Sequence, residues 1–296
     1  MRLTTVHTAS GTHAARLDSD LLTALDAPDV GSLLINPDWR AIAEATPVTG
    51  DFGSLHDALL APLVPKPPKI VCVGINYADH VAEMNAPTPE RPTLFAKFAR
   101  ALVGPYDSIV IPAAAPDQID WEAELTVVIG SHGRHLDEPG ARRVIAGYTV
   151  ANDISARDWQ FATMQWLSGK TFEHTTPLGP VLVTGDEVDD AADLKIACEV
   201  DGIIKQRSRT SQLIFTPAQL VAHVSSMLTL EPGDLILTGT PGGVGAGRTP
   251  PEWLVPGMSL TTRIEGIGSL HNICIPENVG MSASAASAAT TDWEQT

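Results

Sequence analysis

The run Glu124-Leu125-Thr126-Val127-Val128-Ile129-Gly130 constrains this chain more than any other stretch, because β-branched residues closed by a glycine specify a largely buried strand. Glu122 stands two residues ahead of Glu124, and residues two apart share one face of a strand, with α-carbons roughly 6.5 to 7 Å apart. A third acid, Asp153, ends Gly147-Tyr148-Thr149-Val150-Ala151-Asn152-Asp153. Carboxylates buried without partners cost several kcal/mol each, so they take up protons unless a cation compensates them. Glu122, Glu124 and Asp153 therefore form a candidate divalent-metal site. Ligands that are all oxygen suit Mg²⁺, Mn²⁺ or Ca²⁺, and three acids with positions left open for water and substrate fit Mg²⁺ or Mn²⁺ best. The same spacing admits a plainer reading, in which the glutamates alternate onto a solvated sheet face and Asp153 caps the turn before Ser155.

Charge and hydropathy narrow the partners. The net charge of −16 argues against nucleic acid, whose phosphates need a basic surface, and against anionic membranes. No apolar run approaches the roughly 20 residues of a membrane helix. The opening Met1-Arg2-Leu3-Thr4-Thr5-Val6-His7 lacks the apolar core of a signal peptide. Cys72, Cys198 and Cys274 are odd in number, widely spaced and set among apolar residues, which predicts reduced core thiols in a cytoplasmic protein. With 296 residues and 44% hydrophobic content, the chain can hold one large domain with an appendage, or two domains.

Composition divides the chain at Pro65-Lys66-Pro67-Pro68, a stiff linker after a small N-terminal domain over residues 1–64. A second domain over 65–277 opens on the buried-strand pattern Lys69-Ile70-Val71-Cys72-Val73-Gly74 and is dense in short strands and turns. Asp201-Gly202 between two apolar runs predicts a hairpin. One helix is expected from Asp137-Glu138-Pro139 to a stop at Gly147, and another from Thr216-Pro217 with Leu220, Val221, Val224 and Leu228 on one stripe. Residues 278–296 are rich in Ala and Ser and are expected to be disordered.

A second constellation follows the first of these strands, in Asn76-Tyr77-Ala78-Asp79-His80-Val81-Ala82-Glu83. On a helical turn His80 and Glu83 are neighbours at i and i+3, so the carboxylate can hold the imidazole, fix its tautomer and raise its basicity. A surface His-Glu pair on a short helix fits the same spacing. The proline-rich stretch Asn85-Ala86-Pro87-Thr88-Pro89-Glu90-Arg91-Pro92 is a candidate lid, with Met84 and Asn85 bearing on specificity. The glycines of Gly239-Thr240-Pro241-Gly242-Gly243-Val244-Gly245-Ala246-Gly247 lack both nucleotide-binding spacings and run into Pro250-Pro251, so a turn wrapped close to the active site is the better reading. No Gly-x-Ser-x-Gly elbow or marked cysteine supports nucleophilic catalysis.

Taken in order, several segments resemble the fumarylacetoacetate hydrolase family, specifically its common catalytic domain. They are Val73-Gly74-Ile75-Asn76-Tyr77-Ala78-Asp79-His80, Pro92-Thr93-Leu94-Phe95-Ala96-Lys97, Asp120-Trp121-Glu122-Ala123-Glu124-Leu125, Asn152-Asp153-Ile154-Ser155-Ala156-Arg157-Asp158, Gly169-Lys170-Thr171-Phe172, Pro177-Leu178-Gly179-Pro180 and the stretch Leu230 to Pro241. The resemblance implies a β-rich α+β fold, a mixed β-sandwich roll with a small N-terminal domain, assembled as a homodimer. By the same resemblance Glu122, Glu124 and Asp153 are metal ligands, His80 and Glu83 activate water, and Lys170 is the active-site lysine. Arg157 and Gln160 match positions that hold the acid end of the substrate, Thr240 a hydroxyl or backbone donor to it, and Lys97 a positioning residue. Without the resemblance, Arg157-Asp158 reads as a local ion pair and Lys170 as a surface lysine. The activity implied is hydrolysis of a carbon–carbon bond in an acylpyruvate or related β-diketo acid. Decarboxylation or keto–enol isomerisation of a 2-oxo acid, of the oxaloacetate or 2-hydroxyhepta-2,4-diene-1,7-dioate type, uses the same enolate and stands as the alternative. A catalytically silent metal-binding scaffold is disfavoured, because His80 and Lys170 are both present. Glu173-His174 departs from the family's usual Asp-Thr, which predicts an altered pocket near Lys170.

Overall fold

The computed structural model of the chain describes residues 1–83 and 87–278. At its centre the strand Ala123–Ile129 is buried at every position, because a core covers each of its faces and it lies between two antiparallel neighbours, Ile145–Asn152 and Leu235–Leu237. The expected strand is therefore present, and Glu122 sits immediately before it. These strands belong to a ten-stranded mixed sheet. Its path runs Leu21–Ala24, Gly11–Asp18, Arg2–Thr8, Thr176–Val183, Ile145–Asn152, Ala123–Ile129, Leu235–Leu237, Ile70–Gly74 and Thr93–Lys97, and Leu102–Val103 pairs in parallel with Thr176–Val183. A five-stranded sheet runs Ile203–Arg209, Lys195–Val200, Ser259–Ile264, Gly268–Pro276 and Ile109–Ile111.

Alternation along the central strand feeds two cores. Leu125, Val127 and Ile129 join Ile196, Cys198, Leu260 and Ile264 of the smaller sheet, whereas Val128 joins Leu33, Leu34, Trp39 and Leu63 from the N-terminal region. Each such side chain contributes about 1.5–3 kcal/mol by leaving water, so a charge placed at Val127 would meet both the loss of that term and an unpaired burial. The result is the β-rich α+β sandwich roll that the resemblance implied. Arg2–Thr8 pairs antiparallel with Thr176–Val183, Leu3 opposite Leu182, so the N-terminal strands continue the main sheet while the helices Val30–Leu34 and Trp39–Ala45 pack on its far face. Leu63 N–H donates to Leu178 O at 3.4 Å just ahead of the proline-rich stretch.

Local expectations fare unevenly. Asp201 and Gly202 have φ of 49° and 74°, the pair of positive values a type I′ hairpin turn needs. Thr216 caps Pro217–Met227 in a reciprocal bond with Gln219, and Leu220, Val221 and Val224 are buried, but Leu228 falls past the helix and is exposed. The other helix spans only Glu138–Val144, and Gly147 does not end it. The chain turns directly into Ile145–Asn152, where a Cβ on Gly147 would lie 2.3 Å from Val183 O, so this glycine answers a close strand approach. Beyond Asn278 the expected tail lies outside the described residues.

Candidate active site

Three carboxylates meet where the central strand begins and its neighbour ends. Glu122, Glu124 and Asp153 are buried, with ligand oxygens within 4.8 Å of one another. Strand register brings them there: Glu124 lies opposite Ala151, and Asp153 N–H donates to Glu122 O at 2.8 Å. Asn152 stiffens the junction, its Oδ1 accepting from Glu122 N–H at 2.9 Å and its Nδ2 donating to Thr262 Oγ1 at 2.9 Å. The solvated-face reading of these acids therefore fails.

Three buried cations surround the acids. Lys170 Nζ donates to Glu122 Oε2 at 2.6 Å and Asp153 Oδ2 at 2.8 Å. Lys97, at the end of an edge strand, donates to Asp153 Oδ1 at 2.6 Å and Ile154 O at 3.2 Å, contacts through which it can position Asp153. Arg157 opens the short helix Arg157–Gln160 and ignores its neighbour Asp158. Its Nη1 reaches Glu122 Oε1 at 2.7 Å and Gln160 Oε1 at 2.8 Å, and its Nε reaches Asp120 Oδ2 at 2.8 Å. Lys170 is brought in by a tight helix crossing. A Cβ on Gly169 would lie 2.4 Å from Gln160 N and 2.5 Å from Ala156 O, so only glycine fits before the lysine.

The charges do not balance. Burial, then Asp153 and Glu122, pushes the Glu124 carboxyl well above its ordinary range, and its hydrogen-bond donor is Gly239 N–H at 2.7 Å. Burial also opposes charge on Asp153, but Lys170 and Lys97 outweigh it and hold that carboxyl below its ordinary value. Lys170 is raised despite burial, because Asp153 and Glu122 face it. Buried Asp120, Glu122, Glu124 and Asp153 thus confront buried Lys97, Lys170 and Arg157, and Glu124 is the acid left without a cation. A hard divalent cation fits this donor set, supplying what the protein's own side chains leave out.

The glycine-rich loop wraps the site as expected. Gly239 N–H meets Glu124, Gly243 N–H meets Glu83 at 3.0 and 3.1 Å, and Gly245 and Ala246 N–H meet Asp120 at 2.6 and 2.9 Å. Thr240 Oγ1 is used internally, donating to Ala123 O at 3.0 Å and accepting from Gln206 Nε2 at 2.8 Å. The predicted dyad forms on the helix Ala78–Glu83, with His80 Nδ1 3.0 Å from Glu83 Oε2. His80 bonds to none of the three acids among the described residues. Glu173 turns outward to Arg100 at 3.2 Å, on the surface. Met84 and Asn85 of the candidate lid lie outside the described residues. Sequence pattern alone singles out neither Asp120 nor Gln206. The trace that Asp120 leaves is the two-residue spacing it shares with Glu122 and Glu124, and Gln206 leaves none.

Comparison with known proteins identifies the family. Residues 69–274 match the family described as fumarylacetoacetate (FAA) hydrolase C-terminal. A mitochondrial oxaloacetate tautomerase of Bos taurus, FAHD2A, is 46% identical over 252 residues, covering 84% of this chain and 79% of that protein. The structure of a fumarylacetoacetate hydrolase from Exiguobacterium antarcticum superposes with a TM-score of 0.82 at 31% identity, over 94% of this chain and all of that one, 100%. A fumarylpyruvate hydrolase from Pseudomonas aeruginosa, solved with Mn²⁺ and pyruvate, gives a TM-score of 0.64 at 32% identity, over 71% of this chain and 91% of that one. Among the described residues no helix is long and apolar enough to cross a membrane.

Proposed function

From the premise that this chain belongs to the fumarylacetoacetate hydrolase C-terminal family, and is an enzyme of that family, we propose that it interconverts the enol and keto forms of a small 2-oxo acid of the oxaloacetate type. The observation that carries the reading is the acid cluster with its one uncompensated member, Glu124, set against the name of the bovine relative. Glu122, Glu124 and Asp153 would hold Mg²⁺ or Mn²⁺. Such an ion, when bound, supplies a Lewis acid that polarises the carbonyl of a 2-oxo acid. Arg157 and Lys170 bring fixed positive charge for a substrate carboxylate and for an enolate oxygen, and burial makes that charge count for more than it would in water. His80, its Nδ1 held by Glu83, takes a proton at Nε2 from the carbon beside the carbonyl and passes it to the enolate oxygen to give the enol, and the reverse transfer, oxygen to carbon, gives the keto form.

Hydrolysis of an acylpyruvate, the activity the resemblance implies, keeps one specific support: an imidazole held at 3.0 Å by a carboxylate can serve as base toward water as well as toward carbon. The two are separated by incubating Mg²⁺- or Mn²⁺-loaded protein with oxaloacetate in its enol form and with acetylpyruvate, following enol absorbance and identifying products. Faster appearance of keto-oxaloacetate with no carbon–carbon bond broken is expected. Acid plus pyruvate from acetylpyruvate would establish the hydrolase, and pyruvate plus CO₂ from oxaloacetate a decarboxylase. Rates equal to those of the free metal ion for all three reactions would sink the reading.

A further inference from the structure

We propose that Asp120 is the residue that positions Arg157, gripping one edge of the guanidinium so that the other edge is left for a substrate carboxylate. This rests on the reading above, in which Arg157 holds the acid end of a 2-oxo acid. Asp120 is fully buried, and both of its oxygens are occupied. Oδ1 accepts from Trp121 N–H at 2.8 Å and Gly245 N–H at 2.6 Å, while Oδ2 accepts from Ala246 N–H at 2.9 Å and Arg157 Nε at 2.8 Å, with Arg157 Nη2 also at 2.8 Å. Three main-chain donors hold this carboxylate still and make its burial tolerable. Neither the acid cluster nor the His80–Glu83 pair uses it.

Glu122, the other acid on Arg157, is held differently. It divides its oxygens between Arg157 Nη1 and Lys170 Nζ, and it is also one of the three candidate metal ligands. Asp120 has no such competing duty. Arg157 therefore has a permanent edge, Nε and Nη2 on Asp120, and an exchangeable edge, Nη1 on Glu122 and Gln160. A planar guanidinium gripped along one edge presents the other in a fixed direction, which is what recognition of a carboxylate requires. The same grip reaches the glycine-rich loop. Gly245 leaves no room for a side chain, since a Cβ there would lie 2.0 Å from Glu252 O and 2.8 Å from Asp120 Oδ1, and the loop's earlier residues meet Glu124 and Glu83.

The test uses the full chain loaded with Mn²⁺ and pyruvate as the probe, with calorimetric affinity, Mn²⁺ affinity and thermal melting read side by side. Asp120→Asn keeps an acceptor for Trp121 and Gly245 but turns an amide N–H₂ toward Arg157. We expect its pyruvate affinity to fall at least about tenfold while Mn²⁺ affinity stays within about threefold. In an Arg157→Lys background the same change should cost less than about twofold, because Asp120 acts through Arg157. Unchanged pyruvate affinity in Asp120→Asn, or losses that simply multiply, would overturn the inference. Should Asp120→Asn fail to melt cooperatively, Asp120→Glu keeps the charge but displaces it, and unaltered affinity there is equally fatal. Wild-type pyruvate affinity in Arg157→Lys, with Mn²⁺ still bound, would instead refute the premise that Arg157 holds the carboxylate and take the inference down with it.

Discussion

The acid cluster and the His80–Glu83 pair sit on one glycine-rich loop but are built in opposite ways. In the cluster every charged side chain is buried, and each of Glu122, Asp153, Lys170 and Arg157 has at least two partners on different elements. The pair rides on the helix Ala78–Glu83, its side chains 12% and 29% exposed, and the loop holds it through the single donor Gly243 N–H. Burial explains the difference. Charges taken out of water must be over-determined or the fold is lost, whereas a part-exposed pair stays hydrated and tolerates looser support. A ligand held by the cluster would therefore couple its binding to stability, and the pair would not.

Asp153→Ala would strain that contrast most. It leaves Lys97 and Lys170 buried without their shared counter-ion, so we expect a loss of about 3–5 kcal/mol in urea unfolding together with loss of Mn²⁺ binding. A variant as stable as the parent would remove the distinction between the two regions. His80→Ala comes next. Turnover should fall about 10²–10⁴-fold, while melting temperature and Mn²⁺ affinity stay near those of the parent. If metal binding fell with it, the pair would have to be counted as part of the cluster.

What could be read in advance follows the same division. Glu122, Glu124 and Asp153 were legible because a two-residue spacing inside a β-branched run is a local signal, and strand register turned it into proximity. His80 and Glu83 were legible as helical neighbours for the same reason. Contacts between distant segments left no trace. Arg2–Thr8 pairs with Thr176–Val183, and Leu33, Leu34 and Trp39 cover the far face of the main sheet, yet nothing in residues 1–64 announces either role. Asp120 shows the limit within a motif: its importance lies in Gly245, Ala246 and Arg157, which meet it only once folded. Gly147 does not stop a helix because a close strand approach claims it, and Leu228 falls at the C-cap, where the chain leaves helical geometry and the buried stripe ends.

Two smaller effects probe the cluster from inside. Thr240 has its hydroxyl committed to Ala123 O and Gln206, so Thr240→Ala should cost about 1 kcal/mol of stability and leave KM nearly unchanged. A marked rise in KM at unchanged stability would return that hydroxyl to the substrate.

The smallest effect belongs to one proton on Glu124. In metal-free protein its carboxyl is raised from an ordinary 4.5, first by burial and then by Asp153 and Glu122, so the folded state keeps that proton longer than the unfolded chain does. Its contribution to stability is full below about 4.5 and is lost as pH climbs through the raised value. Asp153 runs the other way: lowered from 3.8, it stabilises above that value and is lost as pH falls below it. Between these limits the melting temperature of metal-free protein should rise as pH drops from neutral toward about 4.5. Glu124→Gln should flatten that rise, because an amide still accepts from Gly239 N–H but has no proton to exchange. With Mn²⁺ present the dependence should reverse in the parent, since binding needs the ionised acid and competes with the proton. A slope untouched by Glu124→Gln would mean that the uncompensated charge resides elsewhere in the cluster, and the buried site would then resemble the His80–Glu83 pair in tolerating the loss of a member.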